Sequence, residues 1–180
     1  VSGSVDQTAK IWDSESGRCK LTLEGHQGWV WSVCYSPDGQ YIASGSRDRT
    51  VKIWYAGTGM CVATMKGHAN SVRSVCYSAD GRRIISGSAD KTIKIWDRIT
   101  SECLATLHEH ADSVSSVAYS SNGRWIASGS SDRTIKIWNA VSFEHLATLK
   151  GHAASVYSVC FASDSSQLCS GSNDKSVKIW

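Results

Sequence analysis

The sequence predicts an all-β fold assembled from repeated antiparallel four-stranded units, and three observations carry the prediction. A 42-residue period runs through the chain without insertions, marked by Trp12, Trp54, Trp96, Trp138 and Trp180 and by an Asp six residues before each Trp. His26, His68, His110 and His152 keep the same step, and self-similarity at a fixed spacing of a few tens of residues marks a repeat architecture. Each period also holds four short segments rich in Val, Ile, Thr, Trp and Tyr, which suit buried strands, while no segment carries helical spacing.

Within a unit the first strand follows the His, as in SVRSVCYS (71–78). It ends at a turn, PDG (37–39), ADG (79–81), SNG (121–123) or SDS (163–165), where Gly, Asn and Asp permit a tight reversal. The second strand, such as YIASGS (41–46), runs to the Asp turn, and the third, TVKIW (50–54), follows almost at once. The fourth, CVATMK (61–66), leads into the next Gly-His. Complete units span 26–67, 68–109 and 110–151, whereas 1–25 supplies no first strand and 152–180 no fourth. Joining the two ends leaves two strands over, so an open arc with exposed pairing edges is expected. The opening VSGSVDQTAK has no Met and no leader character, which leads us to expect a piece of a longer chain.

Composition narrows the function classes. An apolar fraction of 41% with eight tryptophans is globular rather than disordered. A net charge of +3, with 19 basic residues spread along the chain, gives no reason to expect nucleic acid or anionic lipid as a partner. No apolar run approaches the ~20 residues of a membrane-spanning helix. The seven cysteines include no CxxC and follow the repeat: Cys19, Cys61 and Cys103 share one register, Cys34, Cys76 and Cys160 another. They are expected to be buried free thiols of an intracellular protein, cytoplasmic or nuclear.

The four-stranded period, with Gly25-His26, Gly67-His68, Gly151-His152, Trp12-Asp13 and Trp96-Asp97, resembles the WD-repeat (β-transducin-like) family of β-propellers over the whole chain. Glu109 departs from the pattern before His110, and Tyr55 and Asn139 follow their Trp where Asp is usual. Glu109 is expected to alter its loop slightly, since Gly reaches backbone conformations that Glu does not. The resemblance implies a partial propeller whose blades each hold a buried chain of Trp, Ser or Thr, His and Asp. The residue chemistry agrees: a buried indole N–H needs an acceptor, a hydroxyl accepts and donates, an imidazole relays, and a carboxylate ends the chain. Carried over, the structural network is His26, Ser46, Asp48 and Trp54; His68, Ser88, Asp90 and Trp96; His110, Ser130, Asp132 and Trp138; and His152, Ser172, Asp174 and Trp180. Ser44 and Ser46 both qualify in the first complete unit, lying on one strand face, and the one nearer the Asp is taken.

His, Ser and Asp together also describe a hydrolase triad. A hydrolase needs its triad once, with an oxyanion site, so four equivalent copies point to architecture, and no catalytic residue, cofactor or metal is assigned. His108-Glu109-His110 has the look of a metal site, but His110 belongs to the network and His108 occupies a slot held elsewhere by Glu24, Lys66 and Lys150. Lys10, Lys52, Lys94, Lys136 and Lys178 read as a ring of solvated amines with packed stems rather than a nucleic-acid stripe.

Binding is expected where the copies differ. One slot holds Trp29, Ser71, Ser113 and Ser155; a second holds Trp31, Arg73, Ser115 and Tyr157; a third, just before the Asp, holds Arg47, Ala89, Ser131 and Asn173. The family resemblance puts these at the start of the first strand and the turn before the third, on the narrower end where partners dock. Trp, Tyr and Arg dominate binding hot spots, so Trp29, Trp31, Arg47, Arg73, Tyr157 and Asn173 form the candidate partner-binding set. Trp125, in a slot shared with Tyr41, Arg83 and Gln167, reads as edge filler. The expected function is a non-catalytic scaffold binding proteins or peptides on one propeller face. The alternative is a substrate-receptor or sensor module of a larger multidomain protein, such as a ubiquitin ligase or a signalling ATPase. Expected partners are other proteins or peptides, not nucleic acid or membrane, and the remaining blades of a parent chain or a second copy at the open ends.

Overall fold

The computed structural model describes Val1–Trp180, which form eighteen β-strands in five antiparallel sheets and no helix. The first sheet has three strands, β1 (Ser2–Gly3), β2 (Ala9–Trp12) and β3 (Cys19–Leu23). Three four-stranded sheets follow. They are β4 (Val30–Tyr35), β5 (Tyr41–Ser46), β6 (Thr50–Tyr55) and β7 (Cys61–Lys66); β8 (Val72–Tyr77), β9 (Arg83–Ser88), β10 (Ile93–Asp97) and β11 (Cys103–Leu107); and β12 (Val114–Tyr119), β13 (Trp125–Ser130), β14 (Thr134–Asn139) and β15 (His145–Lys150). The last sheet is β16 (Val156–Phe161), β17 (Leu168–Ser172) and β18 (Val177–Ile179). Each sheet is one blade of a partial propeller. The first lacks a first strand and the last lacks a fourth, the strand inventory that the sequence period implies.

The core lies between sheets. Successive residues of a strand face opposite sides, and in an inner sheet both sides are covered, so β5, β9 and β13 are buried along nearly their whole length. In β9, Ile84 packs back on Val51, Ile53 and Met65 of the preceding sheet, while Ile85 packs forward with Val114, Val117 and Trp138 of the next. The first strands adjoin in series, β4 against β8, β8 against β12 and β12 against β16. Each junction also carries a hydrogen bond: the amides of Val75, Val117 and Val159 each donate, at 3.1 Å, to the hydroxyl of Ser32, Ser74 and Ser116 on the preceding first strand. At the two ends of the series one sheet face lies open, and Trp12 is 43% exposed and Ile179 68%, where their equivalents Trp96 and Ile95 are 1% and 0%.

Close stacking depends on a glycine in each second strand. A Cβ added to Gly87 would lie 2.7 Å from Val114 Cγ1 and 3.0 Å from Val117 Cγ1, and Gly45 and Gly129 meet the following valines identically. Gly171, on the uncovered last sheet, has nothing within 4 Å. Gly87→Ala should therefore destabilise the protein by about 2 kcal/mol through overpacking. Urea denaturation of wild type and variant tests this, and equal midpoints would mean that the sheets are free to move apart.

Candidate functional site

Four sheets contain the same buried hydrogen-bonded chain. In the second, Trp54 Nε1–H donates to Ser44 Oγ at 2.7 Å, Ser44 Oγ meets His26 Nε2 at 2.7 Å, and His26 Nδ1 meets Asp48 Oδ2 at 2.7 Å. The chain recurs as Trp96–Ser86–His68–Asp90, Trp138–Ser128–His110–Asp132 and Trp180–Ser170–His152–Asp174, with contacts of 2.7–3.0 Å. A carboxylate only accepts, so Nδ1 carries the imidazole proton, Nε2 accepts the serine O–H, and the serine lone pair receives the indole N–H. Each Asp also binds backbone: Asp90 Oδ2 accepts the amide of Ala69 at 2.9 Å, and Oδ1 accepts the amide and hydroxyl of Thr92 at 2.9 and 2.6 Å.

The electrostatics fit this tautomer. Burial holds the His68 and His110 imidazoles below their ordinary pKa even though Asp90 and Asp132 pull the other way. Burial alone would raise the two carboxyls, but bonds from Thr92 and His68, and from Thr134 and His110, bring each down to about 2. The first sheet keeps a remnant, Trp12 Nε1–H to Ser2 Oγ at 2.9 Å, with no His to continue it.

The serines need correcting. The structure assigns Ser44, Ser86, Ser128 and Ser170 to the network, not Ser46, Ser88, Ser130 and Ser172. Ser44 pairs with Lys52 within the sheet, level with the imidazole, whereas Ser46 lies one step nearer the turn, opposite Val30. In that position Ser46 Oγ donates to the Gly28 carbonyl at 2.9 Å and accepts the Asp48 amide at 3.0 Å, tying the turn to the loop after His26. Ser88, Ser130 and Ser172 do the same. Although Ser44, His26 and Asp48 reproduce the contacts of a hydrolase triad, Ser44, Ser86 and Ser128 are 0% exposed and Ser170 1%. Each Oγ is held by an indole, so no substrate carbonyl reaches it.

Three further expectations meet the structure here. Gly25 and Gly67 take φ of +143° and +152°, whereas Glu109, like Gly151, does not take positive φ; the His110–Trp138 ring separation is 6.5 Å against 5.9–6.0 Å in the other three blades, that after Gly151 included. Three of the five lysines do not fit a solvated ring: the ammonium groups of Lys52, Lys94 and Lys136 donate to Thr64, Thr106 and Thr148 at 2.8–3.0 Å, and Lys136 is buried, whereas Lys10 and Lys178, on the first and last sheets, are half-buried and make no such bond. The recurrence of those threonines at the 42-residue step was the available signal. The cysteines are free but not uniformly buried. Cys34 and Cys76 pack partly against the next sheet, where burial pushes their thiols up, while Cys19, Cys61 and Cys103 begin the outer strands and are exposed, as is Cys160 on the uncovered sheet.

The variable slots cluster at one end of the blades. Val30 pairs with Ser46 and Ser32 with Gly45, so Trp31 is the extra residue of a β-bulge, as are Arg73, Ser115 and Tyr157. A bulge frees a side chain from the ladder and re-aims it. The amide of Arg47 donates to the Trp29 carbonyl at 2.8 Å, which brings the first and third slots together, and the other sheets repeat the bond. Trp29 and Trp31 meet edge to face, 5.4 Å between centroids. The Arg47 guanidinium lies 4.8 Å over Trp29, and that of Arg73, from the next sheet, 5.5 Å over Trp31. These four form one exposed stack across two blades. Tyr157 and Asn173 are also exposed but belong to the last sheet and do not join it. Trp125 is half-buried with Arg124 5.2 Å over its ring. His108 and Glu109 are exposed, and no three His, Cys, Asp or Glu side chains converge.

Comparison with known proteins agrees with the repeat. The family model described as WD domain, G-beta repeat, matches residues 17–55, 59–97, 101–139 and 143–180. Each match runs from the outer strand of one sheet to the third strand of the next, so every sequence repeat spans two blades. Among curated relatives, ribosome assembly protein 4 of Chaetomium thermophilum is 57% identical over 42 residues, 23% of this chain and 8% of that protein. Nuclear distribution protein PAC1 of Mycosarcoma maydis is 48% identical over 44 residues, 24% of the chain and 10% of that protein, and human coronin-7 is 46% identical over 44 residues, 24% and 5%. The matched stretch is thus about one repeat long and spans a tenth or less of each relative.

His68→Ala leaves Asp90 and Ser86 short of a buried partner and should cost roughly 1–3 kcal/mol; an unchanged melting temperature would remove the network as a source of stability. The pH response has a definite sign. His68, His110, Asp90 and Asp132 all have folded pKa values below their ordinary ones, so the unfolded chain binds more protons as pH falls. Stability should be full above about pH 7, decline from the ordinary imidazole value of 6.5 downward, and decline again below the ordinary carboxyl value of 3.8 as pH approaches about 2. A urea midpoint constant between pH 7 and 5 would contradict the imidazole assignment.

Proposed function

The chain belongs to the WD40 repeat family, and from that membership we propose that it is a non-catalytic scaffold which binds protein or peptide partners on the blade end carrying Trp29, Trp31, Arg47 and Arg73, with Tyr157 and Asn173 on the same rim. The observation that supports this most is the exposure of two touching tryptophans, 38% and 42%, in slots that other sheets fill mainly with serine. Large rigid aromatics contribute contact area at low entropic cost, and Trp and Arg are the usual anchors of protein interfaces. Constant positions are engaged in the network and the sheet junctions, which leaves the bulged positions free to differ.

The relatives bear names of different cellular roles, ribosome assembly and nuclear distribution among them, yet align over a single repeat. What they have in common with this chain is about one repeat. The hydroxyls that meet histidine are enclosed, which favours binding over catalysis. Seven free cysteines suit a reducing, intracellular setting.

Affinity capture from a native lysate by the full protein, beside a variant with Trp29, Trp31, Arg73 and Tyr157 all changed to Ala, tests the reading. The four side chains are exposed, so the variant should keep its melting temperature within about 2–4 °C and lose one or a few specific partners. A folded variant that retains every partner would move the docking face elsewhere.

A further inference from the structure

The partner-facing end of the blades is more basic than the net charge of +3 indicates. The residue after each network Asp stands in the left-handed region and carries a cation: Arg49, Lys91 and Arg133 at φ 72° and Lys175 at 67°. All four are exposed, as are Arg47 and Arg73, and none makes an ion pair. The Asp beside each is directed inward, its oxygens taken by imidazole, hydroxyl and amide groups. Asp6, Glu24, Glu109 and Asp112 lie at the same end, too few to balance the cations. Between the second and third sheets, beside Arg47, a cavity of about 290 Å³ is lined by Asp48, Arg49, Thr50, Lys66, Gly67 and His68, with no apolar side chain.

The stack has a definite order: cation, indole, indole, cation. Its steps are 4.8 Å from Arg47 to Trp29, 5.4 Å from Trp29 to Trp31 and 5.5 Å from Trp31 to Arg73. Neither Arg47 nor Arg73 makes a side-chain hydrogen bond within the chain, so the guanidinium edges keep their planar N–H forks for a ligand. Such forks match carboxylates in bidentate fashion. Each indole has a guanidinium over one face and meets the other indole edge to face, so a single indole face is left uncovered, short of the successive platforms on which nucleic-acid bases stack.

We propose that this face takes an extended peptide segment in which two acidic side chains flank an apolar one, the carboxylates on Arg47 and Arg73 and the apolar side chain on the exposed edges of Trp29 and Trp31. The inference rests on the reading of this face as the docking surface and adds the chemistry of its partner. An extended chain advances about 3.3 Å per residue, so acids at i and i+4 stand roughly 13 Å apart with the side chain at i+2 between them on the same side. Arg49 and Lys66 at the neighbouring cavity would receive a further acid beyond the Arg47 end.

The test is selection from a display library of random twelve-residue peptides on three forms of the full protein: wild type, Arg47→Gln/Arg73→Gln and Trp29→Ala/Trp31→Ala. Selected peptides are resynthesised with Asp and Glu changed to Asn and Gln, and binding is read by fluorescence polarisation at two salt concentrations. Wild type should enrich peptides with acids four residues apart around an apolar residue. The amide twins and the arginine variant should each bind at least tenfold more weakly, and binding should fall with salt. Peptides without acids, or amide twins that bind equally, would overturn the acidic specificity; the docking face itself would stand if the Trp variant still lost those peptides. If neither variant loses peptide binding, both readings fall. A dT oligonucleotide that binds wild type more tightly than any selected peptide would also overturn the proposal.

Discussion

A buried tryptophan holds two levels of this structure together. The Trp96 indole N–H is satisfied within its own sheet by Ser86, while its ring packs against Val51, Ile53 and Met65 of the sheet before. Burying the ring gives the sheet junction much of its apolar area, but only because the N–H has an acceptor, and the serine lone pair is turned toward the indole because its own O–H donates to His68 Nε2. Asp90 then fixes the imidazole and, through Ala69 and Thr92, the loops on either side. Loop geometry, strand position and sheet stacking are therefore one coupled system. Trp12 illustrates the converse: it keeps its serine bond but has no preceding sheet, and it lies open.

The same coupling leaves room for variation at defined points. Strand residues are committed either to the ladder or to one of two covered faces, so a substitution there disturbs a neighbouring blade. The bulged residue of each first strand has neither obligation. Trp31, Arg73, Ser115 and Tyr157 differ in size and charge while Val30, Val72, Val114 and Val156 beside them stay buried valines. One re-aimed residue per blade, bonded through its neighbours to the following turn, builds a surface whose chemistry changes without cost to the core.

Period, strand number, missing end strands and three of the four network residue types were legible in the sequence because each is a repeated single-residue signal. The serine was not. Ser44 and Ser46 share a strand face, so alternation cannot separate them, and only their depth relative to the imidazole decides which one meets it. Lys52 looked solvated because a cation is costly to enclose unless paired, and its Thr64 partner lies on another strand. Gly45 read as part of a strand pattern, whereas its requirement comes from Val72 of the next sheet. In each case the deciding contact joins segments whose pairing depth or sheet stacking a one-dimensional pattern does not encode. The exposed candidates divide likewise: four of the rim residues form one stack because a bulge and a turn from adjacent blades converge, while Tyr157 matches them in register and lies two blades away.

Charge follows the same logic, since a net value sums groups that the fold separates. Asp48, Asp90, Asp132 and Asp174 count against the basic residues in composition, yet their oxygens are turned into the network and present little charge to a partner. Asp13, Asp38, Asp80 and Asp97 are engaged in turns at the opposite end of the blades, bonding Ser16, Gln40, Arg82 and Ile99 amides. The residue that follows each network Asp stands in a left-handed turn, where its side chain is exposed. Consequently the Asp that completes the buried chain and the cation beside it are separated by the turn itself, the negative charge inward and the positive one outward. A fold stabilised by internal carboxylates can in this way present a basic, aromatic surface from a nearly neutral sequence.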